Sequence, residues 1–145
     1  MSGSARSRIA MSADEAQAFL AEQRTLTCAT LGRDGWPHLM PLWYVVLDGE
    51  CWAWTYAKSQ KVRNLERDAR CTIQVETGLE YAELRGVMMK CVAAIHREVE
   101  VVAGVGSALA ERYGGKAADM RAQAPKRVAL QFIANSVASW DHRKL

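Results

Sequence analysis

The residues most able to do chemistry lie in one stretch. The apolar run Cys51–Tyr56 turns at Ala57 into Lys58-Ser59-Gln60-Lys61-Val62-Arg63-Asn64-Leu65-Glu66-Arg67. Ser59 is suited to cap a helix that sends Val62 and Leu65 toward a core. The first turn of a helix carries partial positive charge from unpaired N–H groups, so acidic residues belong there and cations at the far end. Here Lys58, Lys61 and Arg63 crowd the start, while Glu66 and Asp68 lie near the end. Cations gathered on a positive helix end make sense if an anion sits between them. A phosphate would meet free N–H groups, a hydroxyl and ammonium groups together. The plain alternative is a solvated basic face.

The rest of the chain must position that stretch. Its 145 residues are 50% hydrophobic and 24% charged, with a net charge of +3, which is an ordinary globular composition and fits one domain over 1–145. The charge is too mild and too dispersed for a general nucleic-acid binder. Cys28, Cys51, Cys71 and Cys91 stand far apart in apolar runs, as small buried thiols of a reducing compartment would. There is no C-x-x-C pair, and His38, His96 and His142 are scattered, so no metal site is expected. Residues 1–11 lack the apolar core of a signal peptide and are expected to form a disordered start to a cytoplasmic protein. Lys90 interrupts the longest apolar run, Val87 to Ile95, which argues against a membrane span.

Ser12-Ala13-Asp14-Glu15 has the form of a capping box, predicting a helix that buries Ala16, Phe19 and Leu20 and ends near Glu22 to Arg24. A β-rich run over 25–31 and the glycine-flanked turn 32–35 predict a first hairpin. A long strand is expected from Pro37 to Leu47. It should return through Asp48-Gly49, a type I′ signal, along 50–56. That register sets Val45 opposite Trp52 and Trp43 opposite Trp54. The second pair is either ordinary cross-strand packing or an aromatic wall. Both faces of this hairpin are apolar, so a barrel interior should cover one and a ligand or second subunit the other. Residues 70–77 alternate as a strand, and 81–95 read as one long strand with a bulge or bend at Gly86. A helix from Arg97 should end at Gly114-Gly115. Gly104 and Gly106 either weaken it or admit a close neighbour. A last strand follows Pro125. The ending Ser139 to Leu145, with a tryptophan among basic groups, is expected to fold over a site of its own chain or of a partner. The sum is a mainly β protein: an antiparallel six- or seven-stranded barrel with peripheral helices.

No nucleophile elbow, zinc-protease helix, Walker loop or dinucleotide fingerprint is present. Near the basic stretch only Glu76 and Tyr56 could serve as acid or base, and structural roles suit both better. Catalytic residues are therefore left unassigned. A phosphate cradle with aromatic walls suits a protein whose cofactor performs the reaction.

Three segments carry a resemblance: Leu39-Met40-Pro41-Leu42-Trp43-Tyr44, the stretch Trp54 to Leu65, and Arg70 to Glu76. They resemble the pyridoxamine 5′-phosphate oxidase-like split β-barrel superfamily, with an FMN-binding-like fold. More closely they resemble its branch of flavin- and deazaflavin (coenzyme F420)-dependent oxidoreductases. The resemblance covers about residues 12–142. It implies a homodimer with the cofactor in a groove between subunits. Lys58, Ser59 and Lys61 would hold the phosphate and Asn64 would support them. Pro41, Trp43, Trp54 and Thr55 would border the ring, Gln74 would face the groove, and Trp140 and Arg143 could close it from the other subunit. The implied reaction is hydride transfer from reduced F420 to an unsaturated, quinone-like or tetrapyrrole small molecule. The alternatives are an FMN enzyme and a non-catalytic carrier of a flavin, deazaflavin or tetrapyrrole. The extra arginines of pyridoxamine-phosphate oxidases have no match here.

Overall fold

Helix α2 (Ala13–Glu22) begins with the full capping box: Ser12 accepts from Glu15 N and the Glu15 carboxylate accepts from Ser12 N. Ala16, Phe19 and Leu20 are buried on its inner face. In the computed structural model, which describes residues 3–145, a short helix α1 (Ala5–Ile9) precedes it. The expected disordered start is thus corrected over these residues. Met11 N donates to the Ser139 hydroxyl and Lys144 Nζ to Ala10 O, which fasten this segment to the last strand and the turn after it. Residues 1 and 2 lie outside the description.

Seven strands form one antiparallel sheet: β1 (Thr25–Leu31), β2 (Pro37–Trp43), β3 (Val45–Leu47), β4 (Glu50–Tyr56), β5 (Arg70–Thr77), β6 (Arg85–His96) and β7 (Arg127–Asp141). Their order is β2-β1-β5-β6-β7-β4-β3. Consecutive strands β2 and β3 thus sit at opposite edges, so the sheet curls into a half-barrel whose two edges are joined by Tyr44 alone. The fold class is as expected, mainly β with five peripheral helices among the described residues.

The single long strand expected over 37–47 is therefore broken, and Tyr44 leaves the ladder. Fully buried backbone groups need partners. Tyr44 N donates to the Tyr113 hydroxyl at 3.2 Å, and Tyr44 O accepts from Arg112 at 2.6 Å. The same guanidinium bonds Leu20 O, Ala21 O and Gln23 O, which end α2. A cation at a helix C-terminus also meets the negative end of its dipole. Arg112 therefore ties three segments at the barrel seam.

The Asp48-Gly49 turn has φ of 51° and 78°, the type I′ signature, and sets Leu47 against Glu50 and Val45 against Trp52 as expected. Trp43 does not oppose Trp54, because the break sends it to Thr25 on β1 while Trp54 pairs with Ala129 on β7.

The barrel interior is filled by Leu26, Ile73, Val75, Val87, Leu130 and Phe132, with Val62 and Leu65 of α3 (Gln60–Arg67). The opposite face of β3, β4 and β7 is covered by α4 (Val99–Tyr113) through Val102, Val105 and Leu109, not left to a ligand or second subunit. Gly106 lets the helix backbone approach that face, since a Cβ there would lie 2.5 Å from the Trp54 ring. Gly104 has open space around it. A short α5 (Ala117–Gln123), which the sequence did not signal, leads into β7.

Two expectations around β6 are also corrected. Residues Tyr81–Glu83 form a 3-10 turn, so the strand starts at Arg85. The ladder irregularity falls between Lys90 and Cys91, and Gly86 instead makes room for Trp140, whose ring a Cβ would meet at 2.1 Å.

Candidate functional site

As expected, the first turn of α3 carries no acid, while Arg67 in its last turn partly restores the usual charge order. Ser59 takes the extended cap conformation, yet its hydroxyl caps nothing. The Ser59 Oγ is buried and has no hydrogen-bond partner. Such a group costs free energy unless something absent from the chain completes it. Lys58 beside it is exposed and, like Arg63, has no ion-pair partner among the described residues.

Lys61 and Asn64 behave differently from the surface cations. The Lys61 side chain turns inward, leaving the residue 8% exposed, and its ammonium donates to the Thr55 hydroxyl at 2.9 Å. Burial pulls its pKa below the ordinary lysine value, opposed by the Cys28 thiol, while Arg127 adds to the lowering. The neighbouring Cys71 thiol and Lys61 in turn lower the pKa of Cys28. Asn64 is fully buried. Its amide donates to Thr30 on β1, and its oxygen accepts from Gln60 and Arg67. Asn64 thus fastens α3 to the barrel wall, and its bonds go to Thr30, Gln60 and Arg67 rather than to Lys58, Ser59 or Lys61.

Pro41, Trp43 and Trp54 line a common cleft of about 340 Å³ against Tyr113, Met120 and Arg127. The two tryptophans are therefore brought together after all, not as a cross-strand pair but across the seam. Trp43 is 58% exposed and lies flat on Tyr113, with centroids 4.4 Å apart and planes 5° from parallel. The Tyr113 hydroxyl donates toward Arg24 O and Tyr44 O, so the platform beneath the indole is held in place.

Sequence reasoning missed Arg127 and Tyr113. Arg127 opens β7, with its guanidinium 3.9 Å from the Tyr56 ring centroid and 4.8 Å from that of Trp54. One nitrogen bonds Gln123, while its buried Nε has no partner. Nothing in sequence joins this arginine to residues 58–64. The only signal was a cation following Pro125-Lys126 at a strand start.

The remaining expected residues stand elsewhere in this chain. Gln74 points outward from β5, in a cross-strand row with Pro41, Thr27 and Met88. Trp140 occupies the neighbouring row of that outer face, over Gly86. Arg143 forms a bidentate pair with Asp141 and holds that carboxyl below its usual range. Its cleft is lined by Glu15, Phe19 and Glu22, away from α3. The ending of the chain thus folds back on α1, α2 and β6, not over the Lys58–Ser59 corner of its own chain.

The exposed Lys58 and unpartnered Ser59 Oγ at the start of α3 suit an anionic group, and the tryptophan cleft with its unpartnered Arg127 Nε suits a planar one. No curated protein matches the chain. Among solved structures, conserved hypothetical protein Rv2991 from Mycobacterium tuberculosis is 42% identical, with a TM-score of 0.90 over 99% of this chain and 92% of that one. HutZ, a heme storage protein from Vibrio cholerae, is 18% identical, with a TM-score of 0.72 over 87% of this chain and 93% of that one. An F420 reductase is also 18% identical, with a TM-score of 0.71 over 84% and 94%. The last two show the fold alone. The family model described as pyridoxamine 5′-phosphate oxidase matches residues 12–141, nearly the whole barrel from the capping box of α2 to the end of β7, and the chain belongs to that family.

Proposed function

We propose that the protein is an oxidoreductase that binds the deazaflavin coenzyme F420. The observation that carries this is the unpartnered Arg127 Nε in the cleft walled by Trp43 and Trp54, together with the unpartnered Ser59 hydroxyl at the start of α3. When bound, the coenzyme would supply hydride for an unsaturated, quinone-like or tetrapyrrole acceptor. The chain's own residues bind and orient it. Lys58, Ser59 and Arg127 hold the phosphate, and Lys61 adds charge from the interior while its ammonium stays on Thr55. Pro41, Trp43 and Trp54 border the ring, with Tyr113 keeping Trp43 flat. Exposed Lys58 and Arg63 suit the acidic tail of that coenzyme better than the shorter FMN.

Gln74 and Trp140 share the outer sheet face with exposed Leu39, Ile133 and Trp43, and a second copy seated there would bring them to its neighbour's cleft. In that homodimer the groove between subunits is completed from both sides. The test is a fluorescence titration of cofactor-free protein with F420 and, separately, FMN. Tight F420 and weak FMN binding is expected. Lys58→Ala/Ser59→Ala should weaken F420 binding by about tenfold or more, each lost charge-assisted contact being worth ~1.5–3 kcal/mol. Tight FMN binding alone would move the chain to the flavin enzymes. Unchanged affinity in the double variant would refute the cradle.

A further inference from the structure

A second cleft, of about 480 Å³, opens between α3 and the β1–β2 turn. Trp36, His38, Gln60 and Asn64 line it, with Arg33 and Asp34 at its mouth, and it shares no residue with the tryptophan cleft. Three of its groups are incomplete. His38 Nδ1 is buried and has no hydrogen-bond partner. Gln60 uses its amide N–H on Asn64 Oδ1, so that its Oε1 takes no donor from the described protein. Trp36 is 75% exposed, an unusual position for an indole with no packing role. The turn that presents it is held closed, because Gly32 N donates to Trp36 O at 2.9 Å and Trp36 N to Asp34 Oδ1 at 3.1 Å.

The chemistry of these groups narrows the ligand. An aliphatic group would leave the buried imidazole nitrogen unmet and cover the amide oxygen without giving it a donor. A simple anion would face the Asp34 carboxylate and have nothing to stack upon. A planar heteroaromatic ring with a donor next to an acceptor on its edge satisfies all three groups. In adenine, the exocyclic amino group would donate to Gln60 Oε1, and the adjacent ring nitrogen would accept from His38 in its Nδ1–H tautomer. We infer that this cleft binds a nucleobase-like ring, stacked on Trp36 and read at its edge by His38 and Gln60.

Adenosine is the probe, because it lacks the phosphate that the Lys58–Ser59 corner would hold. Indole N–H resonances of the five tryptophans are followed in ¹H–¹⁵N spectra during titration. Saturable shifts centred on Trp36 are expected. Trp36→Ala, a change at an exposed position, should weaken binding roughly tenfold or more, the usual scale for losing one base-stacking partner. His38→Phe should weaken it several-fold while the rest of the spectrum stays folded. Lys58→Ala/Ser59→Ala should leave adenosine binding intact, even if F420 binding is lost. No saturable shift at millimolar adenosine would overturn the inference. So would binding indifferent to Trp36→Ala, or binding abolished by the Lys58/Ser59 double variant, which would put the probe in the cradle.

Discussion

Two glycines two residues apart in α4, and so on opposite sides of the helix, should respond oppositely to the same substitution. Gly104 is exposed, and a Cβ there meets nothing within 4 Å, so Gly104→Ala changes only helix propensity. It should stabilise the fold by about 0.5–1 kcal/mol. Gly106→Ala gains the same propensity, but its Cβ would sit 2.5 Å from one Trp54 ring carbon and 2.9 and 3.0 Å from two others. That is about 1 Å inside the optimal carbon separation. Relief requires moving the indole or the helix, at about 1–3 kcal/mol of overpacking. The two variants should therefore differ by about 1–3 kcal/mol, or roughly 3–9 °C in Tm for a domain of this size. Thermal melts by circular dichroism read this directly. Trp54→Leu in the Gly106→Ala background should recover most of the loss, giving a double-mutant coupling of about 1–2 kcal/mol. Because Trp54 walls the proposed ring site, Gly106→Ala should also weaken F420 binding, and Gly104→Ala should not. Equal Tm shifts for both alanines would refute the close approach of α4 to Trp54.

Ser12→Ala should cost about 1 kcal/mol in denaturant melts, since it removes a complete capping box, whereas Ser59→Ala should cost only a few tenths because its hydroxyl makes no cap bond. If Ser59→Ala proves as costly as Ser12→Ala, its hydroxyl is a structural cap. Arg112→Met leaves the buried carbonyl of Tyr44 and the ends of α2 unmet, and urea titration should show a loss of about 2–4 kcal/mol. The Arg70 side chain holds the Asp68 carboxyl at about 2, and Arg143 lowers that of Asp141. Folded-state pKa values below the unfolded ones give stability that is complete above the ordinary carboxylate pKa and lost as pH falls through about 4 toward 2. The acid limb of a Tm–pH profile should shift to higher pH in neither Asp68→Asn nor Asp141→Asn but flatten in both. Burial pushes the Cys51 and Cys91 thiols up to about 12, so neither should react with a thiol reagent at pH 8 until the chain unfolds.

Local patterns made much of the architecture legible. The capping box of α2, the Asp48-Gly49 turn, the alternation over 70–77 and the glycine stop after Tyr113 each act within a few residues, and each appears where the pattern puts it. The cations at the start of α3 were legible for the same reason, being contiguous in the chain. What sequence could not decide was where distant strands would meet. Local periodicity cannot distinguish one long strand from two that part at Tyr44, because side chains alternate across the break and only the curl of the whole sheet separates its edges. That single decision moved Trp43 from Trp54 to Thr25, then returned both indoles to one cleft across the seam. It also placed Arg127, some sixty residues from the basic stretch, over Tyr56. Gly86 and Gly106 were visible as exceptions, but their purpose was to admit Trp140 and Trp54. Apart from α1, α5 and the break at Tyr44, the type and order of the elements followed from the sequence itself, through short-range sterics and hydrogen bonding. The composition of the site came only from tertiary structure, because a barrel joins residues by register and curvature, which no local pattern encodes.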